Sequence, residues 1–410
     1  MKIKLPMSKL YPLRYDIRTN LIEYEGKDWV LLDDPMGYAE APVIVTPEFF
    51  NILVSIDEEL DIRDILKIEN QEHGETTIEP ILAQIKALDD MGFILSESFY
   101  QKRALIEQEY LASHIRPAVC AGTCYPSNPE EIEVFLNDFF NRTNVEDYDS
   151  SAHSIIVPHI DFRLGEIVSE VYSSGYHSIS GTDSDLFIIL GTSHFMNSGQ
   201  FMLTRKNFET PLGIIKTDQN LIEFLYSNCP DSFIIDDLAH KPEHSIELQI
   251  ILLQHYFKNR NFKILPIIVG SMHNFMSEKT NPADNNAINA FINSLNGYIS
   301  SNNIKASFIA SVDFAHIGMK FDDNFDAIEK LDEVKKEDFK IIDSILDLAP
   351  DVFFSQIAAV DDKWKICGTA PIYSFLKTNA FKKAKLNKYN QWYESETQSA
   401  VTFASLSFYD

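Results

Sequence analysis

Four near-continuous apolar runs, HSIIVPH (153–159), DLFIILG (185–191), FKILPIIVG (262–270) and ASFIASVDF (306–314), constrain this chain more than any other feature. A run that is apolar at almost every position cannot bury one face and wet the other. Each is therefore expected as a strand covered on both sides, as in the middle of a parallel or mixed sheet. Between the runs lie amphipathic stretches of helical length, PEEIEVFLNDFF, IEFLYSN and SIELQIILLQHYF. Strands alternating with helices predict an α/β fold, a layered central mixed sheet with helices on both faces. FMLTRKNFETPLGIIKTD predicts an inserted hairpin, with Glu209, Thr210 and Gly213 supplying its turn.

The chain reads differently before about residue 115. NLIEYEG and DWVLLDD are two strand patterns joined at a Gly-Lys turn. TPEFFNILVSI opens with Thr46 as N-cap and Pro47 at the first helical position. IRDILKI (62–68) and TTIEPILAQIKALDDMG (76–92) continue the amphipathic pattern, the latter stopping at Gly92, and GFILSE reads as a closing strand. This order predicts a small α+β winged-helix-like domain over residues 1–98. FYQKRALIEQEYLASHI is then a linker helix over 99–115, and the α/β domain spans 116–410. In pattern and length the first domain resembles the small peptide-recognition domains of the PqqD type. A docking or oligomerisation module is the plainer expectation for the same segment.

A hydrophobic content of 45% with 12% aromatic residues is that of a globular chain. The formal net charge of −26 disfavours nucleic acid and anionic membrane as partners. No apolar run approaches the roughly 20 residues that span a bilayer. The basic start MKIKLPMSKLYPLRYD has no apolar segment after it, so a cytoplasmic location is expected. Four cysteines, Cys120, Cys124, Cys229 and Cys367, are too few for a disulfide framework; Cys120 and Cys124 read as two reduced thiols.

Ligands of an open α/β sheet bind beyond the carboxyl ends of its strands, so the residues just past each run matter most. The first run leads into His159 and Asp161, the second into Ser193 and His194, the fourth into Asp313 and His316. In KPEHSIELQIILL, His244 sits in the first turn of an apolar helix with Glu247 three residues on. The positive end of the helix dipole there favours a neutral imidazole, which can bind a metal or act as a base. Any one of these histidines alone reads as a core residue; their common placement at strand ends and a helix start is the signal. The remaining seven histidines show no such placement.

Neutral imidazoles plus a carboxylate suit a divalent first-row metal, Fe(II), Cu or Zn. Such a set supports oxygen activation or, through a metal-bound water, hydrolysis. A metal-free alternative takes Ser193 as nucleophile with Asp313 orienting a histidine, but no G-x-S-x-G elbow holds that serine.

The segments AGTCYPSNPEEI, VPHIDF, LFIILGTSHF, ETPLGIIKTD, EHSIELQIILL, ILPIIVGS, ASVDFAHIG and ICGTAPI occur in order over residues 116–410. In these the chain resembles the Memo family, in particular the type called AmmeMemoRadiSam system protein B. That resemblance implies a fold like that of the class III extradiol dioxygenases, with a pocket at the strand ends. By the same resemblance His159 and His194 fall on metal-ligand positions and His244 on that of a catalytic acid/base. Asp161, Ser193 and Glu247 then fall around those ligands as supporting partners. Animal Memo proteins carry a cysteine between the phenylalanine and histidine of the VDFAHIG segment. Here Ala315 stands there, which leaves the third bond to Asp313, His316 or solvent, or the site without metal. Cys367 reads as a small buried hydrophobe. The implied function is that of a metal-dependent oxidoreductase acting on a small molecule or peptide within a modification system, beside a radical S-adenosylmethionine protein and an AMMECR1-type protein. A non-catalytic partner of that system, and a metal-binding protein without turnover, are the alternatives.

Overall fold

The computed structural model describes residues 10–56, 78–144, 148–195, 198–378 and 380–410. It divides into two compact units, Met1–Ser113 and His114–Asp410. The amphipathic stretch at 62–68 lies outside the described residues.

In the first unit, β1 (Arg18–Tyr24) and β2 (Lys27–Asp33) form the hairpin, and β3 (Val43–Val45) adds to β2, all antiparallel. Thr46 caps the helix Pro47–Ser55 by accepting from the Phe49 N–H, as its sequence predicts. The helix Ile78–Met91 stops at Gly92, whose φ of +94° only glycine adopts readily. The GFILSE segment makes a single bridge, Ile94 to Leu13, rather than a strand. The helix Glu97–Ala112 packs into this unit: Phe99 stacks edge-on against Tyr38, and the Arg14 guanidinium sits 4.6 Å from the Phe99 ring. Arg14 is fully buried and is neutralised by Asp34 at 2.8 Å.

The second unit is a 12-stranded mixed sheet flanked by helices. Its strands are β4 (Ile115–Arg116), β5 (Ser154–Val157), β6 (Leu186–Thr192), β7 (Phe201–Leu203), β8 (Asn207–Thr210), β9 (Gly213–Thr217), β10 (Ile234–Ile235), β11 (Lys263–Val269), β12 (Ala306–Ser311), β13 (His316–Gly318), β14 (Lys383–Glu394) and β15 (Ser399–Tyr409). The order is β13-β15-β5-β12-β6-β11-β9-β8-β4. Its centre, β5-β12-β6-β11, is parallel and consists of the four apolar runs.

Along these strands alternate residues enter two different cores. Leu186, Ile188 and Leu190 pack on one face of the sheet with Leu265, Ile267, Phe308 and Ala310. Phe187 and Ile189 pack on the other with Ile155, Val157, Ile264 and Ile309. Both faces are covered, so the runs carry no polar alternation. The predicted hairpin is β8–β9. Among the described residues no helix is long and apolar enough to cross a membrane.

Candidate metal centre

Because β12 lies between β5 and β6 and all three are parallel, their carboxyl ends form one contiguous edge. His159 follows β5 by one residue after Pro158, His194 follows β6, and Asp313 follows β12. One further close approach completes the set. Gly191 has no side chain where a Cβ would lie 2.5 Å from Ser245 Oγ and 2.8 Å from Ile246 Cγ1. The helix His244–Tyr256 therefore lies directly on β6, and Ser245 Oγ donates to the Thr192 carbonyl at 3.1 Å. Gln249, farther along that helix, donates to the Pro158 carbonyl and to Ser311 Oγ, both at 2.8 Å. The helix start is thus tied to all three strand ends.

Ligand atoms of His159, His194 and His244 lie within 4.8 Å of one another, and so do those of His159, Asp313 and Cys367. The imidazole centroids are 4.9 Å apart for His159–His194, 5.4 Å for His159–His244 and 4.6 Å for His194–His244. His159 Nδ1 meets the Ser311 carbonyl at 2.9 Å, which fixes the tautomer and leaves Nε2 as the lone-pair donor. Asp313 Oδ1 accepts from the His159 backbone N–H at 3.2 Å, and its Oδ2 lies 3.5 Å from His159 Nε2. Burial holds the His159 pKa below its ordinary value, outweighing the pull of Asp313, so the ring is neutral and competent as a ligand.

Two residues of the site are not legible as such in the sequence. Glu243, the N-cap of the helix, accepts from the His194 backbone N–H at 3.0 Å and from the Ser245 N–H at 3.0 Å. Its Oε1 also meets His194 Nδ1 at 2.9 Å and lies 3.5 Å from His244 Nδ1. Burial opposes ionisation of Glu243, yet His194, His244 and the Ser245 N–H hold its carboxyl well below the usual range. Cys367 is the second. Its Sγ lies 3.7 Å from His159 Nε2, in place because Gly368 packs where a Cβ would meet the Asp313 carbonyl at 2.8 Å.

The residues present fit a metal ion. Two donors sharing a tetrahedral ion through bonds of about 2.0 Å to nitrogen and about 2.3 Å to sulfur are about 3.5 Å apart, close to the observed 3.7 Å. Burial, and then Asp313, push the Cys367 thiol well above its ordinary pKa. His159 and Asp313 are each only 3% exposed, whereas the His194 and His244 side chains are 26% and 28% exposed. The cluster therefore has a buried floor and a more exposed rim.

The other sequence candidates lie outside the two donor groups. His316 belongs to neither donor group among the described residues; its Nδ1 meets the Phe314 and Lys365 carbonyls and its ring abuts Phe321. Asp161 caps the short helix Phe162–Leu164 and pairs with Arg163. Ser193 is half-buried in the loop after β6. Glu247 is fully buried and pairs with Arg116, while accepting from the Val119 and Cys120 N–H groups at 2.9 and 2.8 Å. Ala315 is fully buried in the apolar core and donates its N–H to Thr402. The thiol beside His159 comes from Cys367, so Ala315 does not deprive the cluster of sulfur.

The model for Memo-like proteins matches residues 116–407. The chain belongs to the Memo family. A MEMO1 family protein of Aquifex aeolicus is 28% identical over 386 residues, covering 93% of this chain and 96% of its own. One from Pyrococcus furiosus is 30% identical over 308 residues, 71% of this chain and 98% of its own. One from Methanosarcina mazei is 29% identical over 262 residues, 64% and 84%. The Memo match thus falls on the second unit, which carries the whole cluster, and the Aquifex relative extends over most of the first unit as well.

Proposed function

We propose that this Memo family member binds a redox-active first-row metal, Fe(II) in preference to Cu or Zn, and acts as a metal-dependent oxidoreductase. The observation that carries this reading is that His159 belongs to two donor groups at once, three imidazoles and an imidazole–carboxylate–thiol set. His159 and His194 of the first donor group would hold the ion, and Cys367 or Asp313 of the second would supply a further bond on closing toward it. Mixed imidazole and thiolate ligation suits iron, copper and zinc alike, and of these iron and copper are redox-active. When bound, the metal supplies electron transfer to or from a substrate entering at the open side.

The protein's own residues have separable tasks. Ser311 and Glu243 orient His159 and His194 through their Nδ1 atoms. His244, 28% exposed and 3.5 Å from Glu243, would accept or deliver a proton at the substrate. His159 and Asp313 lie at the deep, buried side of the cluster. We infer further that the protein works in the cytoplasm within an AmmeMemoRadiSam-type modification system. Its substrate there is a small molecule or peptide, its partners are a radical S-adenosylmethionine protein and an AMMECR1-type protein, and the first unit is the recognition module.

Metal analysis of untagged protein, after anaerobic loading with Fe(II), tests the site. One ion per chain is expected in the wild type and a loss in His159→Ala, His194→Ala and Cys367→Ser. His244→Ala is expected to keep the metal and lose substrate-dependent oxygen uptake. Wild-type metal content in the first three variants overturns the assignment. For the system role, capture of the radical protein by full-length chain but not by residues 114–410 is expected. Equal capture by both removes the first unit from recognition.

A further inference from the structure

Outside the metal cluster, the sequence CAGTC holds the pair Cys120 and Cys124 in a tight loop. The Cys120 carbonyl accepts from the N–H of Thr123 at 3.1 Å and of Cys124 at 2.8 Å, and Ala121 bridges to Tyr125. Gly122 takes a φ of +83°, which lets the chain reverse between the two cysteines. The 2.8 Å contact from Cys124 N to Cys120 O, added to about 2.4 Å from Cα to its own carbonyl oxygen and about 1.5 Å from N to Cα, keeps the two Cα atoms within about 6.7 Å. A disulfide bridges Cα atoms roughly 4.4–6.8 Å apart.

Both flanks of the loop are anchored. The buried Glu247 carboxylate accepts from the Val119 and Cys120 N–H groups and from the Tyr125 hydroxyl. Closing the bridge therefore needs rotation of two side chains, with little movement of the backbone.

We propose that Cys120 and Cys124 form a peroxide-oxidisable dithiol that closes to a reversible disulfide in the folded protein. The two thiols are unequal in a way that assigns their roles. Cys120 is only 4% exposed, whereas Cys124 is half-buried and open to a small oxidant. The neighbouring Cys120 thiol, against the opposing effects of burial and Asp161, draws the Cys124 thiol below its ordinary pKa. The Thr123 hydroxyl, 3.9 Å from the sulfur, and the Arg163 guanidinium add to this.

Cys124 thiolate attacks one oxygen of hydrogen peroxide. The S–O bond forms as the O–O bond breaks, and hydroxide leaves and is protonated to water, giving a sulfenic acid. Cys120 sulfur then attacks the sulfenic sulfur and loses its proton; the S–S bond forms and the sulfenic oxygen departs as a second water. Two thiols and one peroxide thus yield one disulfide and two waters. An external dithiol reverses the step by exchange.

The dithiol chemistry does not depend on the metal, and a chelator in every sample keeps the two apart. Reduced full-length protein is treated with hydrogen peroxide, alkylated and mapped by mass spectrometry. The peptide holding both cysteines is expected to lose two hydrogens and take no alkyl groups, while near-ultraviolet circular dichroism shows the fold retained. Dithiothreitol should restore both alkylation sites. Cys120→Ser is expected to leave a sulfenic acid on Cys124 that dimedone traps, and Cys124→Ser to leave Cys120 reduced. Full alkylation of both thiols in folded wild-type protein, at peroxide levels that oxidise free cysteine, overturns the proposal whether or not the variants fold. Oxidation of Cys120 in Cys124→Ser overturns the assigned order.

Discussion

Replacing Glu243 by Gln tests whether the cluster is a metal site held by supporting contacts or a packed group of histidines. The carboxylate receives three N–H groups: the His194 ring at 2.9 Å and the backbones of His194 and Ser245 at 3.0 Å. A glutamine keeps the volume and one acceptor oxygen, but places an NH2 where the second oxygen was and removes the negative charge between two imidazoles. His194 then loses a firm orientation and part of its basicity. Removing such a supporting partner weakens metal binding by about 10–100-fold, or ~1.4–2.7 kcal/mol. The weakened cap at Ser245 costs up to about 1 kcal/mol of fold stability, which is read separately from the melting of metal-free protein. Anaerobic competition against a chromophoric chelator gives the affinity of wild type, Glu243→Gln and His194→Ala. Affinity in Glu243→Gln equal to wild type, with His194→Ala strongly weakened, would refute the orienting role. Equal affinity in all three would refute the site.

Three further outcomes are expected of the same structure. Gly191→Ala puts a Cβ against Ser245 and Ile246, so thermal unfolding should show a loss of roughly 1–3 kcal/mol; an unchanged midpoint would mean the helix is not held this closely. Arg116→Met leaves the buried Glu247 carboxylate without its cation and should cost about 3–5 kcal/mol in denaturant titrations; an unchanged midpoint would mean the pair is not desolvated. Burial pushes His240 down to about 4, and a proton on its buried Nδ1 would meet no acceptor. A pKa lowered on folding contributes stability that is full above about pH 6.5 and is lost as pH falls toward 4. His240 alone then accounts for roughly 3 kcal/mol over that window. His240→Gln, which keeps a donor for the Met202 carbonyl, should flatten the fall in melting temperature; an identical pH profile would contradict this.

The central sheet was legible because burial on both faces leaves a periodicity that needs no tertiary information. The same holds for His159, His194 and Asp313, since a residue just past a parallel strand stands at the ligand edge whatever the rest of the chain does. GFILSE failed as a strand for a complementary reason: its apolar residues are buried by the packing of the first unit, and Ile94 finds one bridge partner rather than a ladder. Glu247 was legible as a buried-helix carboxylate near His244, but not its partner. Arg116 comes from β4, far away in sequence, and turns that side chain to an ion pair.

What the sequence determined by itself was the fold class, the family and the edge at which polar residues gather, because these depend on local patterns of burial and on strand ends. Only the tertiary structure decided the membership of the cluster. Cys367 reaches His159 because Gly368 lies against the Asp313 carbonyl, and Glu243 reaches His194 because Gly191 lets a helix rest on β6. Both contacts join segments distant along the chain through glycines that carry no chemistry of their own. Such close approach leaves no trace in a local pattern of residues.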